Sequence, residues 1–438
     1  METNSTNVVR VIVRRDPDRD AAGMMLNDPI TQLKQDLEIC VGVHGPEALL
    51  LLLVCLCRYA GAACSAAVIS PSCIGKTTLI SRIVKFLPPE DYESLIEITY
   101  AALTSGGLWP SQVLRDGTHL VDLRDKLIVL DERADIGSGG RSVLAALRQA
   151  TSAEETTRVK MENGVPARYR LLGPVSLIDC RLSTNDRDYQ TANRMLPIAL
   201  DDSTETLEAL VRLTANKPTL KGRRMAQQRR DICTGWQSHL RSLARLGVVI
   251  DYADQLVLKI GRGVAGRVTH GPRLLTAVHS LISTVAWLRQ GHKRRHQDPC
   301  GDGEIIFATR LDYRLAHSIL SEAHILDESP LLSGPALNVL RKWQNLAEQN
   351  GNETTSAPTL YGKIGILVDR GNITRHLREL RESELAVELP QRNDNRQKMY
   401  KLTPHGECAT TTRLLDALPV PDALEIENEA EFNANAEC

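Results

Sequence analysis

Lys76 and Thr77 are the residues with the clearest chemistry. They close the stretch SAAVISPSCIGKTTLISRI, residues 65–83, in which an apolar run meets a tight turn and then an amphipathic helix. A turn over Ser70, Pro71, Ser72, Cys73, Ile74 and Gly75 can wrap its backbone N–H groups (proline contributing none) around a phosphate. The helix beginning near Lys76 aims its positive end at the same point. Lys76 would reach the β- and γ-phosphates, the Thr77 hydroxyl would ligand Mg²⁺, and Thr78 completes the turn. In the pattern G-x-x-x-x-G-K-[ST], Ser70 stands at the first glycine and Pro71 follows it. A chance Gly-Lys-Thr at a helix start is the competing explanation, and the next motif argues against it.

Residues 126–132 read KLIVLDE. Four apolar residues in a row are too short for a helix and fit a strand buried on both faces. Asp131 and Glu132 end it, where parallel sheets place their ligands. Asp131 suits the Mg²⁺ shell, and Glu132 suits orienting and deprotonating an attacking water. A lone pair of this kind could merely cap a loop. Following Lys76 by 55 positions, Asp131 favours a site whose cofactors are ATP and Mg²⁺ and whose reaction is hydrolysis. Asn185 ends another apolar run and could read the γ-phosphate or position the attacking water. Arg194 precedes MLPIAL, at the subunit edge of a ring, from which it could enter a neighbour's site. An ordinary surface ion pair is an equal alternative for Arg194. Cys73 sits beside a helix N-terminus, which lowers a thiol pKa, so its oxidation could block ATP; the need for a small residue in the turn is the other account of it.

The elements that would hold these groups alternate. Strands expected over 65–70, 94–99, 127–130, 175–182 and 195–200, with helices between the first four, predict an α/β fold with a parallel sheet and crossover helices. Residues 156–170 interrupt that pattern, with Asn163-Gly164 between alternating flanks marking a hairpin. Its outward positions, Arg158, Lys160 and Arg168, are candidate DNA contacts, a merely solubilising hairpin being the alternative. Beyond Ser203, helices are expected over 207–213, 225–246, 273–289 and 313–324, with Gly247-Val248-Val249-Ile250 as a link; together they read as a basic helical lid. From Ser333, helices over 334–349, 359–368 and 372–383 precede strands over 385–389 and 398–402. That order predicts a winged helix-turn-helix. Its third helix would present Arg375, His376, Arg378 and Arg381 to a major groove. Arg392, Arg396 and Lys398 on the wing would meet backbone phosphates. A protein-contact module is the alternative.

The run AVISPSCIGKTT (67–78), together with LPPED (87–91), ALT (102–104), LDE (130–132) and GPVS (173–176), resembles helicase modules joined to CHC2-zinc-finger/Toprim primases of bacterial mobile elements. Asn193-Arg194 through Asp201-Asp202-Ser203 resembles their arginine-finger segment. The likeness is colinear from about residue 49 to 320, fainter after 203. It implies an AAA+-like P-loop ATPase working as a replicative DNA helicase in a homo-oligomeric, hexameric ring. The zinc finger and polymerising Toprim domain are absent, so a primase would be a separate partner. Asp179-Cys180-Arg181 stand where the family tends to carry threonines, which leaves the sensor open between Asn185 and an earlier polar residue. An ATP-gated winged-helix regulator and an Orc-type origin-binding loader are the other readings.

At 438 residues the chain has room for two or three domains. The expected divisions are an N-terminal extension (1–45), an ATPase core (46–203), a lid (204–330), a winged helix (331–412) and an acidic disordered tail (413–438). Linkers are expected at 297–303 and 350–358. Net charge is −1, yet residues 212–314 hold 19 Lys/Arg against 7 Asp/Glu, with runs at Lys221-Gly222-Arg223-Arg224 and Lys293-Arg294-Arg295. That imbalance suggests a polyanion, with solvated helix faces as the alternative. The start lacks an apolar signal core, and the apolar stretch 48–57 is too short to span a bilayer. It reads as a buried helix beside the sheet. Ten cysteines show no Cys-x-x-Cys pair, which fits a reducing cytoplasm.

Overall fold

The computed structural model describes residues 28–70, 74–95, 111–130, 151, 155–162, 165–181, 195–256, 271–301, 303–323, 339–340, 342–344, 346–347, 354–364, 370–382, 385–389, 398–403 and 418–424. The first helix, α1 (Pro29–Val41), starts at an Asp28 N-cap whose carboxylate accepts the Thr31 amide. The second, α2 (Gly45–Leu56), is apolar on every side, and ten of its residues are buried. A helix of that kind needs cover all round. No single described helix is long and apolar enough to cross a membrane; α1 and the segment through α2 meet at 116°.

Five short strands form one parallel sheet: β1 (Ala66–Ile69), β2 (Tyr92–Leu95), β5 (Leu127–Leu130), β8 (Ser176–Arg181) and β9 (Leu196–Ala199), in the order β2-β5-β8-β1-β9. Four fall within the expected runs, while β2 starts two residues before the run expected over 94–99 and shares only residues 94 and 95 with it; residues 96–99 lie outside the described residues. Alternation decides what covers each face. Ala66, Val68, Leu127, Val129, Ile178 and Ile198 face the helical core, and Ala67, Ile69, Ile128, Leu130 and Leu177 face the other way.

That second face departs from expectation. Among the described residues, helix α3 (Lys76–Ile83) links β1 to β2, but strands follow β2 and β5. They are β3 (Ser111–Val113), β4 (His119–Asp122), β6 (Glu155–Glu162) and β7 (Val165–Leu172), which form a second sheet in the order β3-β4-β7-β6. Val121 and Leu171 of this sheet join the apolar cluster under Ile69, Ile128 and Leu130. The expected hairpin therefore exists as β6–β7, but its base is built into a four-stranded sheet.

Helices α4 (Thr204–Asn216), α5 (Leu220–Ser242), α6 (Gly271–Leu288) and α7 (Arg310–Glu322) match the expected helical stretch. The link 247–250 instead contains strand β10 (Gly247–Val249). It pairs in parallel with β12 (Glu304–Phe307), which also pairs with β11 (His296–Gln297) across an expected linker. One apolar cluster runs from Ile30 and Leu37 through α2 to Trp236, Val285 and Tyr313. The divisions expected at residues 45 and 203 thus cut through a continuous core.

Polar groups tie the same body together. Asp312, fully buried in α7, takes Arg289 Nη1 at 2.5 Å and Lys293 Nζ at 2.5 Å, and its Oδ2 accepts the Thr309 amide at 2.7 Å. Arg289 Nε also reaches Asp28 Oδ1 at 2.9 Å, so one guanidinium joins the starts of α1 and α7. Burial would raise the Asp28 carboxyl pKa, but hydrogen bonds from Thr31 and Arg289 hold it below its ordinary value.

His239 of α5 is buried against Trp236, its ring edge-on at 5.5 Å, and borders a cavity of about 150 Å³ lined also by Pro29, Ser242, Gln290 and His292. Desolvation pushes its pKa down to about 4. The unfolded chain takes that proton near 6.5, so stability is lost as pH falls from about 6.5 to about 4, by about 3 kcal/mol. His239→Phe should flatten melting temperature against pH across that window. Parallel curves for the two proteins would show that His239 titrates as a hydrated imidazole.

The C-terminal unit has its own core: Leu340, Trp343, Ile373, Leu377, Tyr400 and Leu402. Helices α8 (Ala357–Ile364) and α9 (Arg370–Glu382) accompany β14 (Ala386–Glu388) and β15 (Met399–Leu402), and a third strand, β13 (Thr354–Ser356), falls where a linker was expected. The expected disordered tail is also corrected in part. Leu418 and Leu424 are buried in the main core, Tyr313 Oη donates to the Pro419 carbonyl at 2.6 Å, and Arg310 Nη2 donates to the Leu424 carbonyl at 2.8 Å. Arg314 pairs with Asp422 at 2.6 Å. Residues 425–438 lie outside the described residues.

Candidate functional site

Strand β1 ends at Ile69, with Ser70 just beyond it, and α3 starts at Lys76. Gly75 is the N-cap, with φ +96°, a conformation that side chains resist and glycine accepts. Its carbonyl accepts the Leu79 amide at 2.8 Å, which closes the first turn of α3. Lys76 is buried, and its ammonium donates to the Ser70 carbonyl across the turn. Thr77 and Thr78 are exposed. The geometry brings a lysine and the N-terminus of a helix to the carboxyl end of a central parallel strand, which is a position suited to a phosphate.

Two neighbours brace this turn. His44, at φ +58° between α1 and α2, donates from Nε2 to the Ile74 carbonyl at 3.3 Å. Arg82 of α3 donates to the Val41 carbonyl at 2.7 Å; burial, and after it the nearby Arg229, lower its pKa. Helix α4 crosses above. A methyl group on Gly75 would meet Leu210 at 3.4 Å, and one on Gly42 would meet Leu213 at 3.1 Å. Neither His44 nor Leu210 carries a motif. Their roles follow from a backbone turn and a helix crossing that composition does not report.

The sheet order sets the rest. β5, which leads into Asp131 and Glu132, is separated from β1 by β8. In β8, Asp179 is fully buried and in register between Ala67 and Leu130. A carboxylate thus sits in the strand between β1, which leads to Lys76, and β5, which leads to Asp131. Pro71, Ser72, Cys73, Asp131, Glu132, Asn185 and Arg194 lie outside the described residues.

The chain matches no protein-family model, and no curated protein is significantly similar to it.

The expected DNA contacts divide. In the β6–β7 ladder Val159 faces Arg168, whereas Arg158 pairs with Tyr169 and Lys160 with Ala167. Directly opposed residues share a face, so positions 158 and 160 fall on the other face of the ribbon from Arg168. The three do not form the single outward basic row expected of them. Arg168 is exposed, and Arg170 beside it pairs with Glu155 at 2.6 Å. Val159 and Val165 near the tip are exposed as well.

On α9, Arg375 and Arg378 are exposed, while His376 is buried with Ile373, Leu377 and Leu380. His376 therefore belongs to the inner face and is not presented to a groove. Arg381 and Lys398 both pair with Glu388, at 2.7 and 2.8 Å. The Lys398 ammonium, and after it the Arg381 guanidinium, hold the Glu388 carboxyl below its ordinary value. Arg392 and Arg396 lie outside the described residues.

Proposed function

We propose that the chain is an ATP-dependent DNA motor, a helicase or replication protein of a mobile element, built on an AAA+-like core with a helical lid and a winged helix. ATP and Mg²⁺ would bind at the Ser70–Thr78 turn, with Lys76 on the phosphates, Thr77 and Asp131 on the metal, and Glu132 on the attacking water. Asn185 would sense the γ-phosphate, and Arg194 would complete the site of the next subunit in a ring. What carries the proposal is the placement of Lys76, buried and folded across its turn at the carboxyl end of a central strand. The strand order β2-β5-β8-β1-β9 supports it, because it leaves room for a second polar strand end between phosphate and metal ligands.

The proposal is tested by ATP hydrolysis with and without single-stranded DNA, on wild type and Glu132→Gln. Single strands should raise the rate several-fold, and the variant should lose both basal and stimulated turnover by roughly 100-fold or more. A rate indifferent to single strands but altered by duplex would favour the second reading, an ATP-gated DNA-binding regulator. That reading draws on one observation: the C-terminal unit has a separate core and exposes Arg375 and Arg378 on one helix.

A further inference from the structure

Helices α4 and α5 meet at a corner that packing does not explain. No residue of α4 is buried, and the first buried residue of α5 is Ile232, half-way along its length. The corner is nonetheless tightly made. Thr219 Oγ1 donates to the Asn216 carbonyl at 2.7 Å and accepts the Gly222 amide at 3.0 Å. A Cβ at Gly222 would stand 2.0 Å from the Asn216 oxygen, so the bend tolerates no side chain there. A rigid, exposed corner presents its side chains at fixed spacing.

Those side chains are of one sign. Residues 209–230 contain seven Lys/Arg and no Asp/Glu. Arg229 turns inward to the Ile39 carbonyl, and Arg212 pairs with Glu208 at 3.2 Å. Lys217, Lys221, Arg223 and Arg224 are exposed, and none pairs with a carboxylate among the described residues. Arg230 is exposed one to two turns further on, its guanidinium donating to Gln227 of the same helix at 2.5 Å. From 221 to 230 the helix rises about 14 Å, which is about four base steps of a nucleic-acid strand at 3.4 Å each. Uncompensated like charge at fixed spacing repels itself, and a polyanion relieves it.

We infer that the α4–α5 corner binds the phosphodiester backbone of a nucleic acid, through Lys217, Lys221, Arg223 and Arg224, without reading bases. This contact is separate from the β6–β7 hairpin and from α9, and it needs no nucleotide. The test is fluorescence anisotropy with the full chain, without ATP, on a labelled 30-nucleotide single strand and on the same sequence as duplex, across a salt series. Lys221→Ala/Arg223→Ala/Arg224→Ala should weaken binding at least about 10-fold near 0.1 M salt. It should also lower the slope of log K against log salt by about 2 for single strands or about 3 for duplex. Loss confined to one substrate identifies that form as the ligand and supports the contact. Lys217→Gln/Lys221→Gln, with helix propensity kept, should show the same trend in smaller measure and covers any failure of the triple variant to fold. Unchanged affinity and slope in both variants would overturn the inference. So would unchanged binding together with loss of a salt-sensitive self-association, since the corner would then hold another subunit. Because no ATP is present, failure of the ATPase proposal leaves this result interpretable.

Discussion

Lys76→Ala should lower ATP hydrolysis by roughly 100- to 1000-fold, the usual cost of removing one preorganised group that meets developing charge. The Lys76 ammonium donates to the Ser70 carbonyl, inside the turn it would serve. A bound phosphate would take that ammonium over, exchanging a neutral acceptor for a charged one, and charge-assisted hydrogen bonds are about twice as strong. The alanine variant also loses the contact to Ser70, but His44 on Ile74 and Arg82 on Val41 still brace the turn. Folding should therefore survive, with a melting temperature within a few degrees of wild type. Phosphate release and binding of a fluorescent ATP analogue are the two measurements. A variant retaining more than a tenth of wild-type turnover would remove Lys76 from the site and, with it, the case for this turn as the nucleotide cradle.

The second large effect is on stability. Asp312→Ala should destabilise the main body by about 3–5 kcal/mol, the range seen when one partner of a buried ion pair is removed. Its two carboxylate oxygens serve Arg289, Lys293 and the Thr309 amide, all from a position with no solvent exposure. Truncation leaves Lys293 without a counter-charge, leaves Arg289 with Asp28 alone, and removes half of the α7 capping box. Lys293 suffers most: burial already lowers its pKa, and the Asp312 charge is what opposes that shift. Thermal melts should drop by roughly 5–10 °C. Asp312→Asn should fall between, keeping the shape and losing the charge. Replacing all three charges together, as Arg289→Met/Lys293→Met/Asp312→Leu, should recover much of the loss, because apolar groups carry no desolvation penalty. Glu388→Ala, which breaks two exposed pairs in the C-terminal unit, should leave the melting temperature almost unchanged. Equal effects from Asp312→Ala and Glu388→Ala would mean the buried cluster is hydrated.

Elements with a strong local signal were legible. The four-residue apolar runs 66–69 and 127–130, the β6–β7 pair on either side of Asn163-Gly164 and the leucine-rich helix all announce themselves. What escaped was set by distant partners. Strand β10 is three residues long and finds β12 more than fifty positions later. Strands β3 and β4 contain Ser111, Gln112, His119 and Asp122, too polar to stand out. The tail misled through its average: seven acidic residues hid Leu418 and Leu424, which enter the core. At the candidate site, Lys76 and Gly75 could be read from residue type and spacing. His44 and Leu210 could not, because what they supply is shape. The hairpin failed on parity. A basic content was visible, but the face each cation takes depends on register, which a single strand does not reveal.

The docking of residues 418–424 on α7 makes the C-terminal unit a loop fastened at both ends. Ala323 and Val339 are 16 positions apart, and Thr403 and Leu418 are 15 apart. At no more than about 3.6 Å per residue, the unit cannot move beyond about 55–60 Å from α7, whatever path those connections take. Confinement to such a volume corresponds to a local concentration of millimolar order. A duplex held weakly by Arg375 and Arg378 would therefore meet the α4–α5 corner as an intramolecular event. Two contacts that are each feeble at cellular concentrations would then act as a single clamp, and cutting the chain both after Ala323 and after Thr403 would weaken it without touching either surface.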